Sequence, residues 1–433
     1  LSNATYISSD RELPFWFHST KFGRVQNNSA NSIFSIGLEK VFSGASTFDY
    51  RAKASPIARL SKDSKFFFDE LFIGIKAGPF RLDAGKKRWR DGIGLSDLSM
   101  GSMVWSGNAA TMPKMMLSVP EYLEVPFTRD FVAFRGYIGH GWFGDDQYVS
   151  GAFLHEKAFY LRFMPESFWL NGHIGIIHNV QWGGTHPDMG ELPQGLSDFG
   201  RVFLGKSAAA DRSPGGEIVN ALGNTVGAYE AKLDFDIRKL RVKAYRQFFI
   251  ETSVSSRIRS PWDGLWGVEL EVNDATKTDW LTHFIWEHVN TKRQNAKPGE
   301  EIGADQYYAN YLYRSGWTYK GRVIGLPLAY TDEVGNVRQV VNNIIVAHHF
   351  GLKGNIPISA LTPNAVSYEL LATYSRNYGR TTSCSGDFCD EGEANPLRTP
   401  RTDAVYTQLI VEYPLSRFVK TWGGVGVDFG SIN

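Results

Sequence analysis

The chain has 433 residues, with 46 Lys and Arg against 45 Asp and Glu, a formal net charge of +1. That balance removes the basic excess on which nucleic-acid binding relies, and a hydrophobic content of 42 % supplies too much apolar surface for a disordered chain. The 44 Gly beside 29 Phe, 19 Tyr and 12 Trp are the composition of a β-rich protein, with glycine at turns and aromatics on strands.

The sequence opens at Leu1 with no basic-then-apolar leader, the form of an exported chain whose signal peptide has been cleaved. Residues 1–14 read as a short N-terminal segment, and the first strand-like run is Ser32 to Phe42. Phe66 to Trp89 reads as a hairpin turning at Ala77-Gly78-Pro79. Asp91 to Pro126, rich in Gly, Ser and Met, is irregular and has room for short helices or a loop folded into a lumen. Phe131 to His140 is strand-like, Val149 to Phe163 reads as a hairpin turning at Leu154-His155-Glu156-Lys157, and Leu170 to His178 follows. A second irregular stretch runs from Gly183 to Asn224.

The clearest alternation lies between Tyr229 and Phe248. Tyr229, Ala231, Leu233 and Phe235 take one face, Glu230, Lys232 and Asp234 the other, and Leu240, Val242 and Ala244 resume the apolar face after a tight link. Further runs are Leu265 to Val272, Trp280 to Val289, Tyr307 to Tyr313, Gly316 to Ile324, Gln339 to Gly351 and Val366 to Tyr378. A last hairpin spans Val405 to Phe429. The count comes to about 16 to 18 strands in one domain over residues 1–433, within the range of outer-membrane barrels.

A transmembrane helix needs about 18 consecutive apolar residues. Val340 to Leu352 is broken by Asn342, Asn343, His348 and His349, and Ile174 to Val180 is too short. A barrel needs only half-apolar strands, and short turns alternating with long polar loops favour it over a soluble sandwich. Trp residues near strand ends suit interfacial girdles, and they suit sugar-stacking platforms equally. The fold expected is therefore all-β: a single transmembrane antiparallel β-barrel of about 18 strands, with loops long enough to plug the lumen. Charges expected on its inner face, among them Glu39, Glu70, Lys76, Glu230, Lys232, Asp234, Arg241 and Lys243, either line a channel or pair across strands. The near-zero net charge and the two irregular segments favour a closed or narrow barrel.

The two cysteines, Cys384 and Cys389, share a polar stretch whose short spacing suits a disulfide at a loop tip. Nothing nearby completes a zinc set, and no metal or other cofactor is expected. Asp387, Asp390, Glu391 and Glu393 beside them read as a solvated acidic loop before a calcium site. Catalysis finds little support. His155, His173, His178, His283 and His288 sit on strand-like runs, there is no Gly-x-Ser-x-Gly elbow, and His348-His349 point to opposite faces of a strand.

Carbohydrate binding needs aromatic faces against sugar C–H surfaces, planar polar groups for hydroxyls, and cations for acidic glycans. Arg88, Trp89 and Arg90, Gln181 and Trp182, and Trp262 and Asp263 have that chemistry at strand ends or loops. The competing reading is a girdle Trp with a snorkelling Arg.

Four stretches resemble the capsule-assembly Wzi family of Gram-negative outer-membrane proteins, and most nearly its Bacteroidota branch. They are Gly85-Lys86-Lys87-Arg88-Trp89, Phe153 to Lys157, Gly175 to Gly184, and Ser260-Pro261-Trp262-Asp263-Gly264-Leu265-Trp266-Gly267. The resemblance runs from about Phe15 to Phe429. It implies an 18-stranded outer-membrane barrel, without enzymatic activity, that acts as a lectin-like surface protein in attaching capsular polysaccharide. Its partners would be outer-membrane lipid, surface polysaccharide and other outer-membrane proteins. An accessory subunit of a larger outer-membrane complex and a narrow porin are the alternatives. Members from enteric bacteria carry an N-terminal periplasmic helical bundle that residues 1–14 do not match.

Overall fold

The computed structural model describes the chain except residues 45, 208–220, 253–256, 297–302, 304, 357–365, 381–397, 417 and 431–433. Cys384, Cys389 and the neighbouring acidic residues lie outside the described residues.

The first part of the wall comprises β1 (Ser2–Ile7), β2 (Ala30–Ser35), β3 (Leu38–Lys40), β4 (Phe48–Leu60), β5 (Lys65–Ala77) and β6 (Phe80–Lys86), with a single helical turn α1 (Phe15–His18) after β1. It continues with β7 (Pro113–Glu124), β8 (Val132–Gly144), β9 (Ala152–Phe163) and β10 (Leu170–Trp182). The stretch that follows holds the ribbon β11 (Thr185–His186) and β12 (Gly190–Glu191) and the helix α2 (Leu196–Leu204). The wall resumes with β13 (Asn224–Ile237), β14 (Leu240–Ile250), β15 (Gly264–Val272) and β16 (His283–Asn290). Another long stretch carries two ribbons, β17 (Thr318–Tyr319) with β18 (Arg322–Val323) and β19 (Tyr330–Val334) with β20 (Val337–Asn342). The last wall strands are β21 (Ile345–Ile356), β22 (Val366–Gly379), β23 (Arg398–Pro414) and β24 (Lys420–Gly430).

Apart from the ribbons, these strands form one antiparallel 18-stranded sheet. β2 and β3 both pair with β4, so they act as one strand interrupted at Ile36 and Gly37. The sheet's two edges, β1 and β24, face each other, with the Tyr6 and Trp422 rings 5.6 Å apart. α1 straddles this seam: Phe15 N–H donates to Asp428 Oδ2 at 2.7 Å, and its ring stacks on Tyr406 at 4.4 Å.

The register explains why this wall lives in lipid. On the outer face Val242, Leu270, Phe284, Leu352, Leu370, Leu409 and Val425 stand directly opposite one another across successive strands. Tyr50, Ile75, Leu82, Leu117 and Ile138 make a similar row on the other flank. Such rows of exposed apolar side chains are tolerable only against hydrocarbon, where a hydrogen-bonded wall satisfies its own backbone. No described helix is long and apolar enough to cross a membrane.

The inner face is charged, and the charges pair. Arg241, Glu271, His283, Lys353 and Glu369 face one another in sequence, Lys53 lies 2.9 Å from Glu70, and Lys232 lies 2.6 Å from Asp234. The connections 78–79, 125–131, 164–169, 238–239 and 415–419 are short and lie at one end of the wall, while 87–112, 183–223 and 291–344 gather at the other. In outer-membrane barrels the longer connections face outside the cell.

Several expectations fail locally, and the run read from Gln339 to Gly351 is split between the ribbon strand β20 and the wall strand β21. Leu154-His155-Glu156-Lys157 is no turn: β9 runs unbroken from Ala152 to Phe163. Its polar run is explained by partners on both faces, since Glu156 meets Lys114 at 2.8 Å inside and Lys157 donates to the Phe203 carbonyl outside. Pro113–Glu124, inside the stretch read as irregular, is a wall strand. Tyr307 to Tyr313 and Gly316 to Ile324 are not wall at all; Tyr307, Tyr308, Tyr313, Trp317 and Tyr319 are buried within the barrel's core.

Candidate functional site

Residues 87–112 enter the barrel and are fastened to polar side chains of the wall. Ile93 N–H donates to Glu230 Oε2 at 3.1 Å, Met100 N–H to Glu287 Oε2 at 2.7 Å, and Met103 N–H to Gln247 Oε1 at 2.9 Å. Ser99 Oγ adds a 2.6 Å bond to Glu287. A loop inside a barrel carries backbone groups that water cannot reach, so a row of carboxylate and amide acceptors is what allows it to be buried. Met100, Met103 and Val104 are fully buried.

Two tyrosine–glycine pairs make room for this. Tyr245 stands opposite Gly267 and Tyr160 opposite Gly175, and a Cβ on either glycine would collide with the facing ring. The tyrosines lie flat across the wall, so their hydroxyls reach the plug's anchors: Tyr245 donates to Glu287, and Tyr160 donates to Asp91 Oδ1 at 2.7 Å. Asp91 also accepts from Tyr137, and burial pushes its carboxyl above the usual range.

The 291–344 segment packs over the plug from the long-connection end. Tyr308 OH donates to the Met103 carbonyl at 2.7 Å, Trp317 Nε1 to the Val104 carbonyl at 3.1 Å, and Asn108 Nδ2 to the Val323 carbonyl at 3.0 Å. Arg322 ties in the N-terminal segment through the carbonyls of His18 at 2.7 Å and Val25 at 2.9 Å. Cavities remain among the described residues. One of about 480 Å³ lies beneath the plug and is lined by Arg90, Asp97, Lys243, Glu269, His283 and Lys353 among others. Another, about 510 Å³, lies along the β1–β24 seam.

The seven candidate sugar-binding residues do not converge. Arg88, Trp89 and Arg90 begin the plug: Arg88 Nε donates to Asp69 at 2.7 Å, Trp89 packs edge-on against Tyr137 at 5.2 Å, and Arg90 donates to the Thr20 carbonyl at 3.2 Å. Gln181 is buried on the inner face and accepts from Asn224 at 3.3 Å. Its neighbour Trp182 is buried on the outer face, beneath Phe199 of α2. Asp263 is wholly buried, accepting from Arg293 N–H at 3.2 Å and Tyr307 OH at 3.1 Å, and burial raises its carboxyl to about 6. Trp262 is the exception. It is 70 % exposed and stacks on Trp266 at 5.9 Å, near the long-connection end. The plug anchors Gln247 and Glu287 were not singled out from sequence, because their role depends on cross-strand register. The alternation of Tyr245 and Gly267 across paired strands was the one signal available.

A wall with apolar rows outside, paired charges inside and an internal segment bolted to it defines a plugged β-barrel of the outer membrane. Residues 18–337 match the family of capsule assembly protein Wzi, and the chain belongs to that family. Among solved structures it is similar to Wzi, an outer-membrane protein of Escherichia coli involved in Group 1 capsule assembly and described as a carbohydrate-binding β-barrel. The TM-score is 0.60 at 13 % identity, over 99 % of this chain and 79 % of that one. More remote similarities include a loop-deletion form of the Vibrio cholerae outer-membrane protein OmpT (TM-score 0.35, 9 % identity, 100 % of this chain and 91 % of that one). Another is Pseudomonas aeruginosa OprD (TM-score 0.33, 9 % identity, 93 % and 90 %). No curated protein matches the chain.

Proposed function

We propose that this barrel is a non-enzymatic surface protein that binds surface or capsular polysaccharide and serves in its attachment or assembly. One observation carries the reading: the lumen is occupied by a bolted segment, while the long connections collect at the outer end. That construction suits a platform better than a pathway. Membership in the Wzi family and the carbohydrate binding described for the Escherichia coli protein point the same way. On this reading the glycan meets the outer end, and Trp262 is the aromatic face it reaches first. Arg88, Trp89 and Arg90 act beneath as part of the plug that holds the platform shut.

The test is recovery of tagged protein from native outer membrane, with co-eluting glycan and protein analysed together. Polysaccharide should co-elute, and Trp262→Ala should reduce it severalfold while Trp280→Ala, at the opposite end, leaves it unchanged. Stoichiometric protein partners without glycan would instead make the barrel an accessory subunit.

A further inference from the structure

The outer wall carries a polar row where the apolar rows stop. Arg246, Trp266, His288, His348 and Tyr374 stand opposite one another on β14, β15, β16, β21 and β22. All face outward, because the next residues of the same parity toward the short-turn end are Ala244, Val268, Trp286, Phe350 and Ala372. Arg376 lies one outward position beyond Tyr374, diagonal to His348. Neighbouring positions on one face are about 7 Å apart along a strand, so the row sits one rung above the hydrocarbon band, at the level of outer-leaflet headgroups.

Its groups are arranged as a receptor. Arg246 lies 4.0 Å over the Trp266 ring, and Trp262 stacks on the same indole. The His288 and His348 rings stack at 4.5 Å. Arg246 Nη2 donates to the Pro261 and Asp263 carbonyls, while its Nη1 and both Nη atoms of Arg376 donate no hydrogen bond among the described residues; Asp403 stands opposite Arg376 on the neighbouring strand. Guanidinium groups with spare donors ask for a phosphate or carboxylate, and the stacked indoles ask for a sugar face. The apolar rung beneath asks for acyl chains.

We propose that Arg246, Trp266, His288, His348 and Arg376 form an outward-facing site for a phosphorylated, acylated sugar of the outer leaflet, of the lipid A class. Arg246 and Arg376 stand four strands apart, about 19 Å along the wall, so each takes one phosphate at an end of a diphosphorylated sugar, Trp262 and Trp266 cover the sugar beside Arg246, and the chains run down over Val268, Trp286 and Phe350. The site shares Trp262 with the polysaccharide reading but does not rest on it, since lipid binding is measured with a purified lipid and no polysaccharide.

The test is native mass spectrometry of the detergent-solubilised protein titrated with diphosphoryl lipid A, dioleoylphosphatidylglycerol or dioleoylphosphatidylcholine. Diphosphoryl lipid A should give a one-to-one adduct at least tenfold tighter than either phospholipid. Arg246→Gln with Arg376→Gln should weaken it about tenfold, while Arg238→Gln, in a short turn at the far end, leaves it unchanged. His288→Gln with His348→Gln is the second variant should the first fail to give folded barrel, and it too should weaken the adduct. Equal affinity for phosphatidylglycerol overturns the sugar-lipid assignment. Folded variants binding like wild type overturn the site.

Discussion

Two histidine patches lie on the outer wall at a similar height, and the chain treats them differently. His140, His155 and His178 project outward from β8, β9 and β10, and α2 lies across them: the Phe199 ring meets His155 at 5.5 Å and His140 at 6.2 Å, and Phe203 meets His155 at 5.5 Å. His155 is fully buried there, with neither ring nitrogen hydrogen-bonded among the described residues. His288 and His348 project from β16 and β21 under no described element and remain partly exposed. Polar groups on a lipid-facing wall are costly unless something covers them. The first patch is covered by a nine-residue helix of the chain itself. The second, on this account, is covered by a lipid headgroup.

The sharpest way to break this contrast is to undermine the cover. Trp182 is buried with Val180, Val202 and Leu222 under α2, and Trp182→Ala should cost about 3–5 kcal/mol in unfolding of the reconstituted barrel. Trp266→Ala in the open patch should cost well under half of that; equal losses would erase the distinction.

Next in size is a pH effect confined to the open side. Asp263, whose carbonyl accepts from Arg246 at 3.1 Å, has its carboxyl raised by burial from 3.8 to about 6. A carboxyl with a raised folded pKa binds its proton more tightly when folded. Its stabilisation is therefore complete below about 3.8 and is lost as pH climbs through about 6, a loss of at most about 3 kcal/mol. Hydrogen exchange at Arg293 and its neighbours, corrected for intrinsic rates, should quicken between about pH 4 and 6 in wild type and stay flat in Asp263→Asn. Pressure on α2 over the same range would contradict the assignment.

The smallest effect concerns the helix start. Asp198 accepts from Gly195 N–H at 3.0 Å, and Asp198→Ala should loosen α2 by about 1 kcal/mol. Limited proteolysis within 183–207 should then speed up severalfold, with the 291–344 segment unaffected.

Most of the wall was legible in the sequence because period-2 alternation survives wherever one face meets lipid and the other meets charge, as at Tyr229 to Phe248. The reading failed where that contrast is suspended. His155 and Lys157 look like turn residues only because α2, which covers them, comes some forty residues later. Tyr307 to Tyr313 looks like a strand because a buried plug is as aromatic as a wall. The candidate sugar residues were chosen by type, and type does not reveal facing. The adjacent Gln181 and Trp182 end on opposite sides of one sheet, and in the connection before β15 Trp262 is exposed while its neighbour Asp263 is buried.

The central claim is that the barrel is plugged and works as a platform, and single-channel recording in planar bilayers tests it most directly. Wild type should show no steady porin-sized steps. Gly94 has φ +90° and a Cβ there would come within 2.8 Å of the Tyr245 ring, so Gly94→Val should dislodge the plug and open such steps. Wild-type conductance comparable to a general porin would contradict the plug, and the platform with it.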